Sequence, residues 1–421
     1  MPRPLPAVLL LLALPVSLVA GQSADPAALA RRVLETTPLI DGHNDLPWAI
    51  RASATARGNP SAYDLRQRTE GHTDLARLRQ GLLGGQFWSV YIPGEIRDSG
   101  YARVQLEQID IARQVIGQYP EAFQWATTAD GMREAFAAGR IGSVLGLEGG
   151  HAIENSLGAL RTYYALGARY MTLTHNVTLD WADAAAGVPR HGGLSRFGVE
   201  VVREMNRLGM LVDLSHVSPG TMSDALNVTE SPVIFSHSSA RAIANHVRNV
   251  PDSILARLPA NGGVVMVTFV PSFISQAILD HGATRREASA GASRRFPSDS
   301  VAWSRAMAEW DRAHPAPRAQ LAEVANHLEH IRRVAGVDHV AIGGDFDGIT
   351  ETIEGLEDVS SYPALFTELA RRGWSEADLR QLAGENILRA MSEAQRVAAR
   401  LQRERPPSSR TILELDGRPM P

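Results

Sequence analysis

Eight short apolar runs recur along the chain, separated by amphipathic stretches of helical period. The runs cover residues 39–41, 87–92, 143–147, 169–174, 210–214, 233–236, 264–270 and 339–343. Each is rich in Val, Ile, Leu or aromatic residues and short enough for a strand buried on both faces. Residues 102–119, 155–166, 199–208, 322–334, 363–372 and 377–401 repeat apolar positions at helical spacing; in the first, Val104, Ile109, Ile111, Val115 and Ile116 fall largely on one face. Gly167, Gly209 and Gly336 stand where helix-ending glycines belong. Eight β-then-α units predict a (β/α)8 TIM barrel. An open doubly wound sheet is the alternative, but the glycine-rich phosphate loop of a nucleotide binder is missing after the first run. Two segments, 51–73 and 271–317, read as excursions, the second as a lid or a subunit contact.

Composition then narrows the chemistry. The chain has no cysteine, which excludes disulfides, thiolate catalysis, iron–sulfur clusters and cysteine-held zinc. Its 42 basic residues are all arginine. Without lysine there is no Schiff base, no pyridoxal phosphate attachment, no Walker lysine and no carbamylated lysine between two metals. A net charge of −4 gives no electrostatic reason to expect nucleic acid or an anionic membrane as partner. Arg3, an uncharged apolar stretch from Leu5 to Ala20, and small residues at Ala20, Gly21 and Ser23 read as an export signal over residues 1–21. The expected mature protein is residues 22–421, one catalytic barrel with a C-terminal helical extension. It is expected in the periplasm or medium, as a homodimer without a membrane anchor.

The ends of the strands carry the chemistry. Run one is followed by His43-Asn44-Asp45; later runs end at Glu148, His175, His216, His237 and Asp345. Barrel active sites gather at the C-terminal ends of strands, so these ends are expected to share one basin. A carboxylate following Val144-Leu145-Gly146-Leu147 enters a core and needs a partner or a metal. Imidazole with carboxylate suits zinc, and also manganese, iron or cobalt. Four histidines and three carboxylates exceed the needs of one tetrahedral zinc with an open position, so two metals sharing a carboxylate fit better. Glu148, on a middle strand, is the natural bridge. There is no Gly-x-Ser-x-Gly elbow. Asp345-Phe346-Asp347-Gly348 lacks the remaining acidic positions of an EF-hand. The Asn-Val-Thr triplets at Asn176 and Asn227 read as chance matches to a glycosylation pattern.

Seven segments together resemble the membrane dipeptidase (renal dipeptidase) family, peptidase family M19. They are Ile40-Asp41-Gly42-His43-Asn44-Asp45-Leu46-Pro47, Gly146-Leu147-Glu148-Gly149-Gly150, Leu173-Thr174-His175-Asn176, Asp213-Leu214-Ser215-His216, Phe235-Ser236-His237-Ser238-Ser239-Ala240, Arg248-Asn249-Val250-Pro251-Asp252 and Gly343-Gly344-Asp345-Phe346-Asp347-Gly348. The similarity runs in order from about residue 35 to 395. It implies a (β/α)8 barrel of the metal-dependent, amidohydrolase-like type that holds two zinc ions and hydrolyses dipeptides through a hydroxide between them. His43 and Asp45 are implied on one zinc, His216 and His237 on the other, with Glu148 bridging. His175, Arg248 and Asp345 are implied to handle the substrate: His175 at the developing oxyanion, Asp345 moving the proton, Arg248 on the terminal carboxylate. Other readings are a binuclear amidohydrolase acting on a lactam or N-acyl amino acid, and a non-catalytic exported zinc- or solute-binding protein. Animal members carry disulfides and a lipid anchor; this chain has no cysteine and no apolar C-terminal tail. The 271–317 stretch resembles the family weakly.

Overall fold

Strand β1 (Leu39–Asn44) pairs in parallel with β2 (Leu83–Ser89) on one side and with β9 (Val340–Ile342) on the other. That pairing closes a ring. In the computed structural model, which describes Met1 and residues 25–96 and 100–417, β2 is followed by β3 (Phe123–Trp125), β4 (Ile141–Glu148), β5 (Ala168–Thr172), β6 (Leu211–Asp213), β7 (Val233–Phe235) and β8 (Val264–Val267). β2 pairs directly with β4, and β4 to β9 pair in sequence, so eight parallel strands form a barrel. The TIM-type barrel is therefore the observed fold. Apart from Met1, the export-signal residues lie outside the described ones.

Two differences from the sequence reading have local causes. The ninth strand, β3, stands outside the ring, on the first half of β4 only, with Phe123 opposite Ile141 and Trp125 opposite Ser143. β5 takes over that edge of β4 from Leu145. Three residues are too few to give a periodic signal. β2 begins at Leu83 and ends at Ser89 rather than spanning 87–92, because Gly84 and Gly85 interrupt the apolar run while remaining in the strand, Gly85 paired with Ile40 and Gly84 at a register shift.

Burial explains why the runs are almost continuously apolar. Inward residues of the barrel strands (Ile40, Phe87, Val144, Tyr170, Ile234 and Met266 among them) form an inner core, and a larger outer core lies between strands and helices. Strands covered on both faces cannot alternate polar with apolar. The C-terminal extension forms the floor of the barrel. Helix Glu376–Arg380, a π turn at Gln381–Glu385 and helix Asn386–Glu404 follow one another. Ile387, Leu388, Ala390, Met391 and Ala394 join the inner core. A Cβ on Gly384 would stand 2.2 Å from the Pro38 carbonyl, so only glycine lets this turn come so close to the start of β1. The 271–317 excursion is a helical hairpin, Gln276–Arg295 and Ser300–Ala313, which buries little beyond Ala292 and Met307. Among the described residues no helix is long and apolar enough to cross a membrane.

Candidate active site

The strand ends bring seven of the eight residues singled out in the sequence to one mouth of the barrel, and the loop after β7 brings the eighth, Arg248. His43 lies in β1, with Asp45 just beyond its end; Glu148 closes β4. His175, His216, His237 and Asp345 follow β5, β6, β7 and β9 within three residues. His216 and Asp345 hold left-handed backbone, φ 67° and 66°. Such strain costs on the order of 1 kcal/mol or more and persists where the surroundings over-determine it. All but His43 line a cavity of about 790 Å3, which Arg248 also lines.

Glu148 is the centre of the arrangement, and its two oxygens divide the histidines. Oε2 lies 3.4 Å from His43 Nε2. Oε1 lies 3.1 Å from His216 Nε2, 3.5 Å from His237 Nε2 and 3.8 Å from His175 Nε2. His43 Nε2 is also 3.2 Å from Asp45 Oδ2 and 3.9 Å from Asp345 Oδ1. Three overlapping sets are close enough to hold a metal ion: His43 with Glu148 and His237, Glu148 with His175 and His216, and His43 with Asp45 and Asp345.

Hydrogen bonds behind three of the rings fix which nitrogen faces the centre. The Tyr170 hydroxyl donates to the Gly42 carbonyl at 3.2 Å and so accepts from His43 Nδ1 at 2.9 Å. The Ser236 hydroxyl donates to Asp213 Oδ2 at 2.7 Å and accepts from His237 Nδ1 at 2.8 Å. His216 Nδ1 donates to Asn176 Oδ1 at 3.1 Å. Each ring therefore turns Nε2 inward, the arrangement by which outer partners orient metal-binding histidines.

Electrostatics then tests whether a cation fits. Burial, together with the Arg248 charge, holds His216 and His237 well below the usual histidine range, so both are neutral. With their protons on Nδ1, two bare Nε2 lone pairs face each other across 2.9 Å. At His43, burial opposes a charge, but the site's field, including the Glu148 and Asp45 carboxylates, outweighs it and raises the pKa well above the usual range. His43 Nε2 and Asp45 Oδ1 have no hydrogen-bond partner. Burial works against an ionised Glu148, yet its histidine neighbours hold it well below the usual carboxylate range. The donor set thus demands positive charge at its centre, which a divalent metal supplies in place of a proton.

The remaining residues form the wall. Arg248 is only 4 % exposed. Its Nη1 lies 3.5 Å from Ser238 Oγ, its Nε has no partner, and no carboxylate among the described residues forms an ion pair with it. Burial lowers its pKa to about 10, which leaves it charged at neutral pH. Asn249 secures the loop by donating to the carbonyls of Ala244 and Phe273. His175 packs against Tyr91, ring centroids 4.8 Å apart, and burial lowers its pKa. Burial pushes Asp345 well above the usual carboxylate range.

Sequence reasoning missed the groups behind the rings: Tyr170, Asp213, Ser236 and the side-chain role of Asn176. In the sequence Asn176 stands in a chance glycosylation triplet and beside His175 in one family-like segment, with no role of its own. Asp213 accepts from the Ser215 and Ser236 amides and from the Thr172 and Ser236 hydroxyls. Its signal was a carboxylate inside an apolar run, the same signal that singled out Glu148.

Known structures share this barrel. A probable dipeptidase, PvdM, from Pseudomonas aeruginosa is 23 % identical with a TM-score of 0.76, over 89 % of this chain and 99 % of that one. A metallopeptidase from Rhodobacter sphaeroides, crystallised with a phosphinate mimic of L-Ala-D-Ala, is 23 % identical with a TM-score of 0.69, over 85 % and 99 %. Dipeptidase AC, described as an M19 metallopeptidase, is 25 % identical with a TM-score of 0.69, over 85 % and 99 %. The family model of membrane dipeptidases, peptidase family M19, matches residues 27–405. With nearly the whole chain matched and the strand-end cluster assembled, the chain belongs to the membrane dipeptidase family, and its class is that of a metallo-dipeptidase.

Proposed function

We propose that the protein is an exported, zinc-dependent dipeptidase with two zinc ions. His43 and Asp45 would hold one ion, His216 and His237 the other, and Glu148 would bridge them. One observation carries the substrate assignment: a buried, charged Arg248 without a carboxylate partner lines the same cavity as the ligand cluster. An unmatched buried cation calls for an anion, and a guanidinium fork suits a free carboxylate. The dipeptide mimic bound by the Rhodobacter relative supports a ligand of that size.

Bound here, a pair of divalent metals would supply Lewis-acid polarisation and activation of water. The protein's own groups do the rest. Arg248 anchors the terminal carboxylate and sets the scissile bond in register. His175, neutral and fixed against Tyr91, donates a hydrogen bond to the developing oxyanion. Asp345, whose raised pKa favours holding a proton, takes one from the attacking water and passes it to the leaving amine.

The test is metal analysis with a hydrolysis panel of dipeptides, C-terminally amidated dipeptides and N-acyl amino acids. Two zinc per chain and cleavage of free dipeptides alone are expected. Full activity at one metal per chain, or a preference for N-acyl amino acids, overturns the proposal. N-terminal sequencing after export checks removal of residues 1–21, and light scattering checks the proposed homodimer.

A further inference from the structure

The excursion over residues 51–73 finishes against the active site, where its last residues hold two strand ends at once. Thr73 Oγ1 accepts from Asn44 Nδ2 at 2.9 Å, and Asn44 stands between His43 and Asp45. His72 grips the turn Asp345-Phe346-Asp347-Gly348 through two reciprocal hydrogen bonds. Its amide donates to Asp347 Oδ1 at 2.6 Å, and its ring Nδ1 accepts from the Asp347 amide at 2.9 Å. Gly71 permits the approach: a Cβ there would stand 2.3 Å from Asp347 Oδ1. The ring also packs on Phe346, centroids 5.7 Å apart.

The end of the excursion is itself firmly held. Buried Arg77 pairs with Asp74 at 2.6 Å and with Asp358 at 3.3 Å, and its Nη2 donates to Thr69 Oγ1 at 2.7 Å. That hydroxyl donates on to the Thr73 carbonyl at 2.8 Å. The Val359 amide donates to the His72 carbonyl at 3.4 Å. His72 is thus a fixed point from which to hold a neighbour.

The turn needs holding. Asp345 and Asp347 both carry left-handed backbone, φ 66° and 65°. Non-glycine residues persist in that region where their surroundings over-determine them. Strand β1 supplies part of the constraint: the Asp345 amide donates to the His43 carbonyl at 3.1 Å, and the Asp45 amide to the Phe346 carbonyl at 2.9 Å. The Asp347 amide lies beyond that ladder, and its acceptor is His72. The next residue is pressed against the reacting groups: a Cβ on Gly348 would stand 2.2 Å from Asp45 Oδ2 and 2.6 Å from Asp345 Oδ1. A turn that relaxed at 347 and 348 would therefore shift the Asp345 carboxyl. His72 itself is not among the residues lining the basin.

We propose that His72 is a positioning residue for the hydrolysis: by holding the Asp347 amide it locks the left-handed turn that aims the Asp345 carboxyl at the attacking water. This rests on the proton-handling role proposed for Asp345.

The experiment measures kcat, KM and metal content for a free dipeptide on metal-loaded wild type, His72→Leu, His72→Asn, Asp345→Asn and the double variant His72→Leu with Asp345→Asn. Leucine removes the acceptor; asparagine places an oxygen where the ring has Nδ1. His72→Leu should lose roughly tenfold to a hundredfold in kcat, as small misplacements of reacting groups do, with KM and metal content kept. His72→Asn should recover most of that loss. In the Asp345→Asn background His72→Leu should cost no more than about twofold, because residues acting as one unit are not additive. The same loss in both backgrounds would show a merely structural role and overturn the proposal. So would wild-type kcat in His72→Leu, a loss confined to KM, or His72→Asn no better than His72→Leu. Should His72→Leu fail to fold, His72→Gln, whose oxygen sits one bond further out, takes its place under the same criteria. Asp345→Asn turning over at the wild-type rate would remove the underlying role of Asp345 and this proposal with it.

Discussion

Gly146 makes room for Tyr170: a Cβ at 146 would stand 2.0 Å from Tyr170 Cζ. Glycine in β4 thus admits the phenol that accepts the His43 Nδ1 proton. Tyr170→Phe keeps the ring and deletes that acceptor. Losing such an outer partner typically costs about 10–100-fold in metal affinity. Competition with a chromophoric chelator should show the loss, and Gly146→Ala should show it too, with added instability. Unchanged affinity in Tyr170→Phe would mean that His43 is oriented without it.

Glu148→Gln should strip both metal positions at once, because each oxygen of Glu148 faces a different set of histidines. His43→Ala should mainly weaken one. Elemental analysis of purified variants distinguishes these outcomes; two full-strength metals in Glu148→Gln would end its bridging role.

Replacing His175 by alanine should cut turnover by about 10²–10³, the usual loss for one oxyanion donor, with metal content retained. Asp345→Asn should behave similarly in turnover. If His175→Ala instead loses thermal stability and keeps its rate, the ring only packs against Tyr91 and His216.

Arg248→Lys should be impaired even though the charge is kept, since an ammonium cannot reproduce a two-pronged contact. Losing one member of a buried charge pair costs about 2–5 kcal/mol, so the wild type should discriminate strongly against C-terminal amides and tripeptides. Comparable kcat/KM for a dipeptide and its amide would remove the carboxylate role.

Acid should weaken the fold through His327. This buried ring accepts from the Ala240 amide and donates to the Ile274 carbonyl, tying the loop after β7 to the turn before the hairpin. Burial lowers its pKa to about 4. The unfolded chain takes up a proton near 6.5 and the folded one does not, so its contribution is complete above pH 6.5 and is lost as pH falls toward 4. The full term is about 3 kcal/mol. Urea unfolding at pH 7.5 and 4.5 should show a smaller acid loss in His327→Gln than in wild type; equal losses would show that His327 is not the group responsible.

The barrel and the centre of its site were legible because strands covered on both faces leave polar residues little place except their ends, where His43 and Glu148 stand out against Ile40 and Leu147. The outer partners were obscure for the opposite reason. Tyr170 and Ser236 belong to apolar runs as well as any strand residue, and only the pairing of β4 with β5 reveals that Gly146 and Tyr170 are adjacent. β3 was invisible because the strand is only three residues long.

The floor formed by Asn386–Glu404 has a consequence for the order of assembly. Ile40 enters the inner core from the first strand, yet Ile387 and Met391, which cover that core from below, are separated from it by almost the whole chain. A growing polypeptide released piece by piece cannot finish its barrel: every intermediate lacking this helix exposes apolar side chains at the open end. Completion of the barrel thereby waits until this late helix is available, so the first and last parts of the chain must meet before the inner core is closed.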